Sequence, residues 1–166
     1  LHRAIDTHTD HHVEIRALRR LFAPPYRRYA GILIDIWFDH LLARDFQRWS
    51  EVPLDRFSNE LLEMLQVRAE ELPGSLQRFT TYMHARRLPA AYARREMISE
   101  VLLGVSTRFR HANPLADGLV EISRLERELE KSFACFFPQL VEFAGQWRRS
   151  KMEAASETTQ GRDQHI

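Results

Sequence analysis

Apolar positions recur along this chain at helical spacing, and no segment alternates with a period of two. In "TDHHVEIRALRRLFAPP" the residues Ile15, Leu18 and Leu21 form one stripe, Thr9 or Asp10 stands where an N-cap would, and Pro24-Pro25 ends the run. Residues 1–9 read as the end of a preceding helix. A long helix is expected from about Tyr26 to Trp49. Another is expected between Pro53, in its first turn, and the stop at Pro73-Gly74. Shorter helices are expected over 76–86 and 94–110. The stretch from Asn113-Pro114 onward supplies the last ones, with Pro138 as a break or kink. The pattern predicts an all-α fold, a compact bundle of about six or seven helices, in one domain over 1–150. The polar, aperiodic stretch 151–166 reads as a disordered tail.

The segment "GILIDIWFDHLLA", 31–43, departs from amphipathic patterning. Leu33, Ile34, Ile36, Trp37, Phe38 and Leu41 cover most directions of the helix, which marks it as buried. Asp35 and Asp39 fall about 40° apart on one face, and His40 points about 100° away from Asp39. Two carboxylates one turn apart repel each other, and buried acids need a counter-charge. A guanidinium such as that of Arg3, Arg27 or Arg28 could supply it, with His40 as a satisfied core histidine. A divalent metal could supply it equally. The opening "LHRAIDTHTD" adds weight to the metal, because His2, Asp6 and Asp10 follow at i, i+4 and i+8 beside Arg3. Mixed imidazole and carboxylate donors suit Mn²⁺, Mg²⁺ or Fe²⁺ better than a cysteine-built zinc site.

Composition changes this picture little. An apolar content of 44% and a charged content of 28% are those of a globular domain, and the length suffices for a sizeable core. No run of about 18 apolar residues is present, so no membrane span is expected. The start lacks both Met and signal-peptide architecture, and the chain reads as cut from a longer protein. One cysteine, Cys135, excludes an internal disulfide framework and fits a reducing, cytoplasmic compartment. Its apolar setting "FACFF" predicts a buried structural thiol. A net charge of +1 gives no overall steering toward a partner. Without aromatic-basic interleaving, nucleic-acid binding ranks last. His8, His11 and His12 are expected to face solvent at a helix junction, and His84, His111 and His165 receive no role.

The elements "LHRAIDTHTD", "RRYAGILIDIWFDHLLARDF" and "FFPQL", taken in this order, resemble the acyl carrier protein phosphodiesterases, helical enzymes similar to the HD-type metal-dependent phosphohydrolases. The resemblance extends to about Val141. It implies hydrolysis of the phosphodiester between 4′-phosphopantetheine and a serine of holo-acyl carrier protein, a reaction of lipid metabolism, with Mn²⁺ as the usual cation. On this resemblance His2 and Asp6 match the first motif, and Asp35, Asp39 and His40 match the second, as metal ligands. Arg3 becomes a candidate phosphate clamp, and Asp10 a candidate for orienting or deprotonating water. Family members are expected to carry roughly thirty more N-terminal residues, enough for one or two helices, with a further acidic ligand. Docking of an acidic carrier is expected on an arginine cluster: Arg16, Arg19 and Arg20, or Arg27 and Arg28, or Arg86, Arg87, Arg94 and Arg95. The rival readings are a phosphohydrolase acting on a nucleotide or other small phosphodiester, and a non-catalytic helical module in which arginines hold both acids.

Overall fold

A computed structural model of the chain describes residues 2–162, which contain eight α-helices, five short 3₁₀ turns and no strand. The all-α expectation is met, with one or two helices more than the pattern suggested. The described chain divides into two compact units, residues 2–21 with 127–162, and Phe22–Glu126.

The first unit holds α1 (His2–His11), α2 (Val13–Leu21) and nearly all of α8 (Glu126–Arg162). On α8 the residues Leu129, Phe133 and Phe136 are buried at i, i+4 and i+7. His8 and His12, expected in solvent, are instead half-buried against that helix. His8 stacks on Phe143 with ring centroids 4.2 Å apart, and His12 meets the edge of Phe136 at 4.9 Å. The Glu14 amide donates to His12 Nδ1, so Nε2 carries the proton and donates to Gln139 Oε1 at 3.2 Å. Cys135 is exposed, not buried. Phe133 and Phe136 point inward, and the intervening positions are turned away from that face by the helical period. Pro138 lies inside α8 without ending it. The helix continues through 151–162, the stretch read as a tail, while 163–166 lie outside the described residues.

The second unit is built around α3 (Ala30–Arg44), which buries Leu33, Ile34, Ile36, Trp37, His40 and Leu41 together with Ala30 and Ala43. Short 3₁₀ turns at Tyr26–Tyr29 and Phe46–Arg48 flank it, so the single helix expected from Tyr26 to Trp49 is shorter. Packed on α3 are the 3₁₀ turn Ala90–Ala93, α6 (Arg95–Ser106) and α7 (Gly118–Arg124). Gly118 permits the α7 contact: a Cβ there would lie 2.6 Å from Leu33 Cδ2 and 3.5 Å from both methyls of Leu102. Helices α4 (Leu54–Val67) and α5 (Gly74–Arg86) pack together as a pair, and His84 Nε2 bonds the Leu62 carbonyl at 3.1 Å. Arg87 closes α5 with φ 55°, a left-handed cap more often filled by glycine. Glu121 is buried and accepts from the Ala23 amide at 2.7 Å and from Arg124 at 2.6 Å.

Candidate functional site

The second unit contains a cavity of about 250 Å³ with a mainly apolar wall, contributed by α3, α4, α5, α6 and the segments between them. Phe46, Phe57, Phe79, Leu42, Leu88 and Val101 supply much of that wall. Four polar groups join it: Asp39, Tyr82, Tyr92 and Arg108. An apolar enclosure with a few convergent polar groups is the usual form of a small-molecule site.

Asp39 is the residue that the sequence and the cavity share. It lies one turn after Asp35 at the edge of the buried face of α3, where the helix passes the cavity. Burial, and then the negative charge of Asp35, raise its pKa from 3.8 to about 6. Asp35 is exposed, and Asp39 also keeps part of its surface in solvent. An arginine clamp on Asp39 would have pushed its pKa the other way, so the structural-network reading lacks its main requirement at this residue. Tyr92 is pushed up by burial and by Asp39, while Arg108 opposes the shift. The Tyr92 phenol is thus within electrostatic reach of both Asp39 and Arg108. Arg108 is exposed and stacks over the Tyr82 ring at 5.6 Å. Arg86 lies over the same ring at 5.1 Å and pairs with Glu100 at 2.6 Å.

His40 takes a different environment. Nδ1 donates to the Tyr92 carbonyl at 2.7 Å, the ring lies 4.6 Å from that of Trp37, and burial lowers its pKa. The imidazole is therefore held neutral, the tautomer with its proton on Nδ1. Arg95 stacks on Trp37 at 5.0 Å, binds both carboxylate oxygens of Glu126 and donates to Ser123 Oγ at 3.0 Å. Of the arginines considered for docking, Arg19, Arg86 and Arg95 are thus already engaged by acids.

His2 and Asp6 lie on α1 in the first unit, paired through Nδ1 and Oδ2 at 2.9 Å and open to solvent. Asp10 falls within α1 and caps no helix, since α1 extends to His11 and α2 starts at Val13. It pairs with Arg19 at 2.7 Å. Arg3 is exposed on α1. Among the described residues no group of three or more His, Cys, Asp or Glu side chains is gathered to hold a metal ion. The coupled acids Asp35 and Asp39 in one unit, and His2 with Asp6 in the other, each fall short of the three protein ligands of a catalytic centre. The donors as placed do not fit a complete metal site, and no chemical step below is derived through one. Arg108, Tyr82 and Tyr92 carry no signal in the sequence, because each follows Asp39 by about forty to seventy residues and joins it only through the fold.

A family model described as acyl carrier protein phosphodiesterase matches residues 1–140. Curated proteins of that description are similar to this chain. The one from Serratia proteamaculans is 30% identical over 145 residues, covering 87% of this chain and 75% of its own length. That from Escherichia coli strain CFT073 is 31% identical over 148 residues, with the same shares covered. One from Klebsiella pneumoniae strain 342 is 28% identical. No solved structure matches at a significant level.

Proposed function

We propose, because the chain belongs to the acyl carrier protein phosphodiesterase family, that it hydrolyses the phosphodiester linking 4′-phosphopantetheine to a serine of holo-acyl carrier protein. The products are the apo-carrier and free 4′-phosphopantetheine. The observation that carries this reading is the position of Asp39 in the wall of an apolar cavity that also presents Arg108. A flexible, largely uncharged arm ending in a phosphodiester matches such a lining. A nucleotide matches it less well, since a rigid base and ribose fit a cavity of about 250 Å³ poorly.

In the proposed reaction water attacks phosphorus, the bond from phosphorus to the serine oxygen breaks, and the serine oxygen takes up a proton. Asp39 is the group suited to accept the proton of the attacking water. A carboxylate with pKa about 6 is a stronger base than an ordinary aspartate and is still mostly ionised at neutral pH. Arg108 supplies positive charge for the phosphate oxygens. Of the residues implied by resemblance, Asp35, Asp39 and His40 in Phe22–Glu126, and separately His2 and Asp6 in the first unit, are proposed as donors toward a divalent cation, foremost Mn²⁺. Of these, His40 already has the tautomer that an imidazole ligand uses.

The test is to follow the mass of holo-acyl carrier protein incubated with the chain and Mn²⁺, with and without a chelator. Loss of the phosphopantetheine group is expected, and its loss in chelator too would remove the cation from the reading. The Asp39→Ala variant should abolish hydrolysis with helical circular dichroism retained. Unchanged turnover in that variant would take Asp39 out of the reaction.

A further inference from the structure

The cavity in Phe22–Glu126 has a shape and charge distribution that specify a ligand class independently of turnover. Its volume of about 250 Å³ exceeds the roughly 150 Å³ that suffices for a benzene-sized guest and lies below the range of drug-sized sites, about 300–1,000 Å³. It therefore suits one slender chain and not a fused-ring or multi-ring ligand. Phe46, Phe57 and Phe79 contribute aromatic wall, and Phe57 and Phe79 remain partly in solvent. Large apolar side chains left open beside a cavity leave surface that a ligand's own hydrocarbon would cover. Arg108 differs from the neighbouring arginines. Arg86 and Arg95 are neutralised by Glu100 and Glu126, whereas among the described residues Arg108 stacks on Tyr82 and has no carboxylate partner. A guanidinium on an aromatic face is oriented, with its in-plane N–H donors open to an anion.

We propose that this cavity binds a single aliphatic chain carrying a phosphate or carboxylate at one end, with the chain along the phenylalanine wall and the anion on Arg108. The site takes free amphiphiles of this form, beyond any arm tethered to a protein. Binding needs no hydrolysis, so it stands or falls apart from the reaction proposed above.

Titration calorimetry on the full chain, in chelator so that no metal contributes, tests it with octyl phosphate, octanoate, 1-octanol and inorganic phosphate. Octyl phosphate and octanoate should bind, and 1-octanol and inorganic phosphate should each bind at least roughly ten-fold more weakly, because each lacks one half of the recognition. Arg108→Gln should weaken octyl phosphate roughly ten-fold, the scale of one charge-assisted contact, and leave 1-octanol unchanged. Arg108→Lys should restore part of the loss. Val105→Trp, which fills the cavity from α6, should abolish binding of both amphiphiles. Equal affinity for octyl phosphate and inorganic phosphate would overturn the proposal by reducing the site to a surface anion contact. Equal affinity for octyl phosphate and 1-octanol would overturn the role of Arg108, as would an unaffected Arg108→Gln. Inhibition of holo-carrier hydrolysis by octyl phosphate would support the site as the one the tethered arm uses. Binding with hydrolysis undisturbed would support it as a separate amphiphile site. If the wild type hydrolyses carrier protein and binds neither amphiphile, this inference fails and the proposed reaction survives.

Discussion

Replacing Asp39 by asparagine isolates what a partly buried carboxylate does to this fold. In the folded chain the Asp39 carboxyl holds its proton up to about pH 6, against 3.8 when solvated, because burial and Asp35 disfavour the anion. The folded state therefore binds a proton that the unfolded state has already released. The stabilisation this gives is complete below the unfolded pKa and is lost as pH rises through the folded one. At about 1.36 kcal/mol per unit, a shift from 3.8 to about 6 sets an upper bound of about 3 kcal/mol. Asp39 keeps part of its surface in solvent, and screening there reduces the expected contribution to about 1 kcal/mol, withdrawn between roughly pH 4 and pH 7. Asparagine is nearly isosteric and cannot ionise, so the variant should lack this decline. Urea unfolding of both proteins in chelator, across roughly pH 4 to pH 8, measures the difference directly. The Asp39→Asn curve should rise above the wild-type curve by about 1 kcal/mol on going from the acid end to the neutral end. Asp35→Asn in the wild-type background should shift the decline to lower pH, since it removes the smaller of the two causes. Parallel curves for wild type and Asp39→Asn would refute the reasoning, because they would mean that Asp39 titrates alike in both states.

Two further outcomes follow from the packing. Gly118→Ala should cost about 1–3 kcal/mol in urea unfolding, because the new methyl would meet Leu33, which is fully buried and cannot withdraw; a neutral result would mean that α7 shifts freely. Glu121→Ala should cost about 1–3 kcal/mol by stranding the Ala23 amide. In the wild type the bond to Arg124 holds the Glu121 pKa below its ordinary 4.5, so this contribution is present above that value and fades as pH falls through the depressed one. A variant that loses no stability at neutral pH would contradict this reading.

Much of the core was readable because a helix apolar on every side has few places to go. The segment around Trp37 and Leu41 declares its burial through composition alone. Asp39 was readable for the same reason, as a charge in the wrong surroundings. Its difference from Asp35 was not: both reach solvent and about 40° of helix separates them, and neighbouring helices decide that Asp39 alone lines the cavity. Cys135 was misplaced because its neighbours in sequence are apolar, whereas exposure on a helix follows the residues three and four positions away. His8 and His12 were assigned to solvent because their partners, Phe143 and Phe136, are distant in the chain. Arg108 and Tyr92 carry no local signal, since an arginine and a tyrosine on helical segments resemble any others until tertiary packing brings them to Asp39.

The division of the chain has a consequence for its synthesis. The first unit is discontinuous: α1 and α2 are made before Phe22–Glu126, and α8, against which His8 and His12 rest, is made after it. At about 5–20 residues per second, the interval needed to make Phe22–Glu126 is on the order of ten seconds. Throughout that time the two leading helices have no partner strip of phenylalanines, and the exposed Val13 and Leu21 add to their apolar surface. The intervening unit is contiguous and closes its contacts among its own residues as they appear. Nascent chains stalled before α8 should therefore show protease-resistant Phe22–Glu126 with susceptible α1 and α2, and a chaperone that captures short amphipathic helices would find its target in residues 2–21.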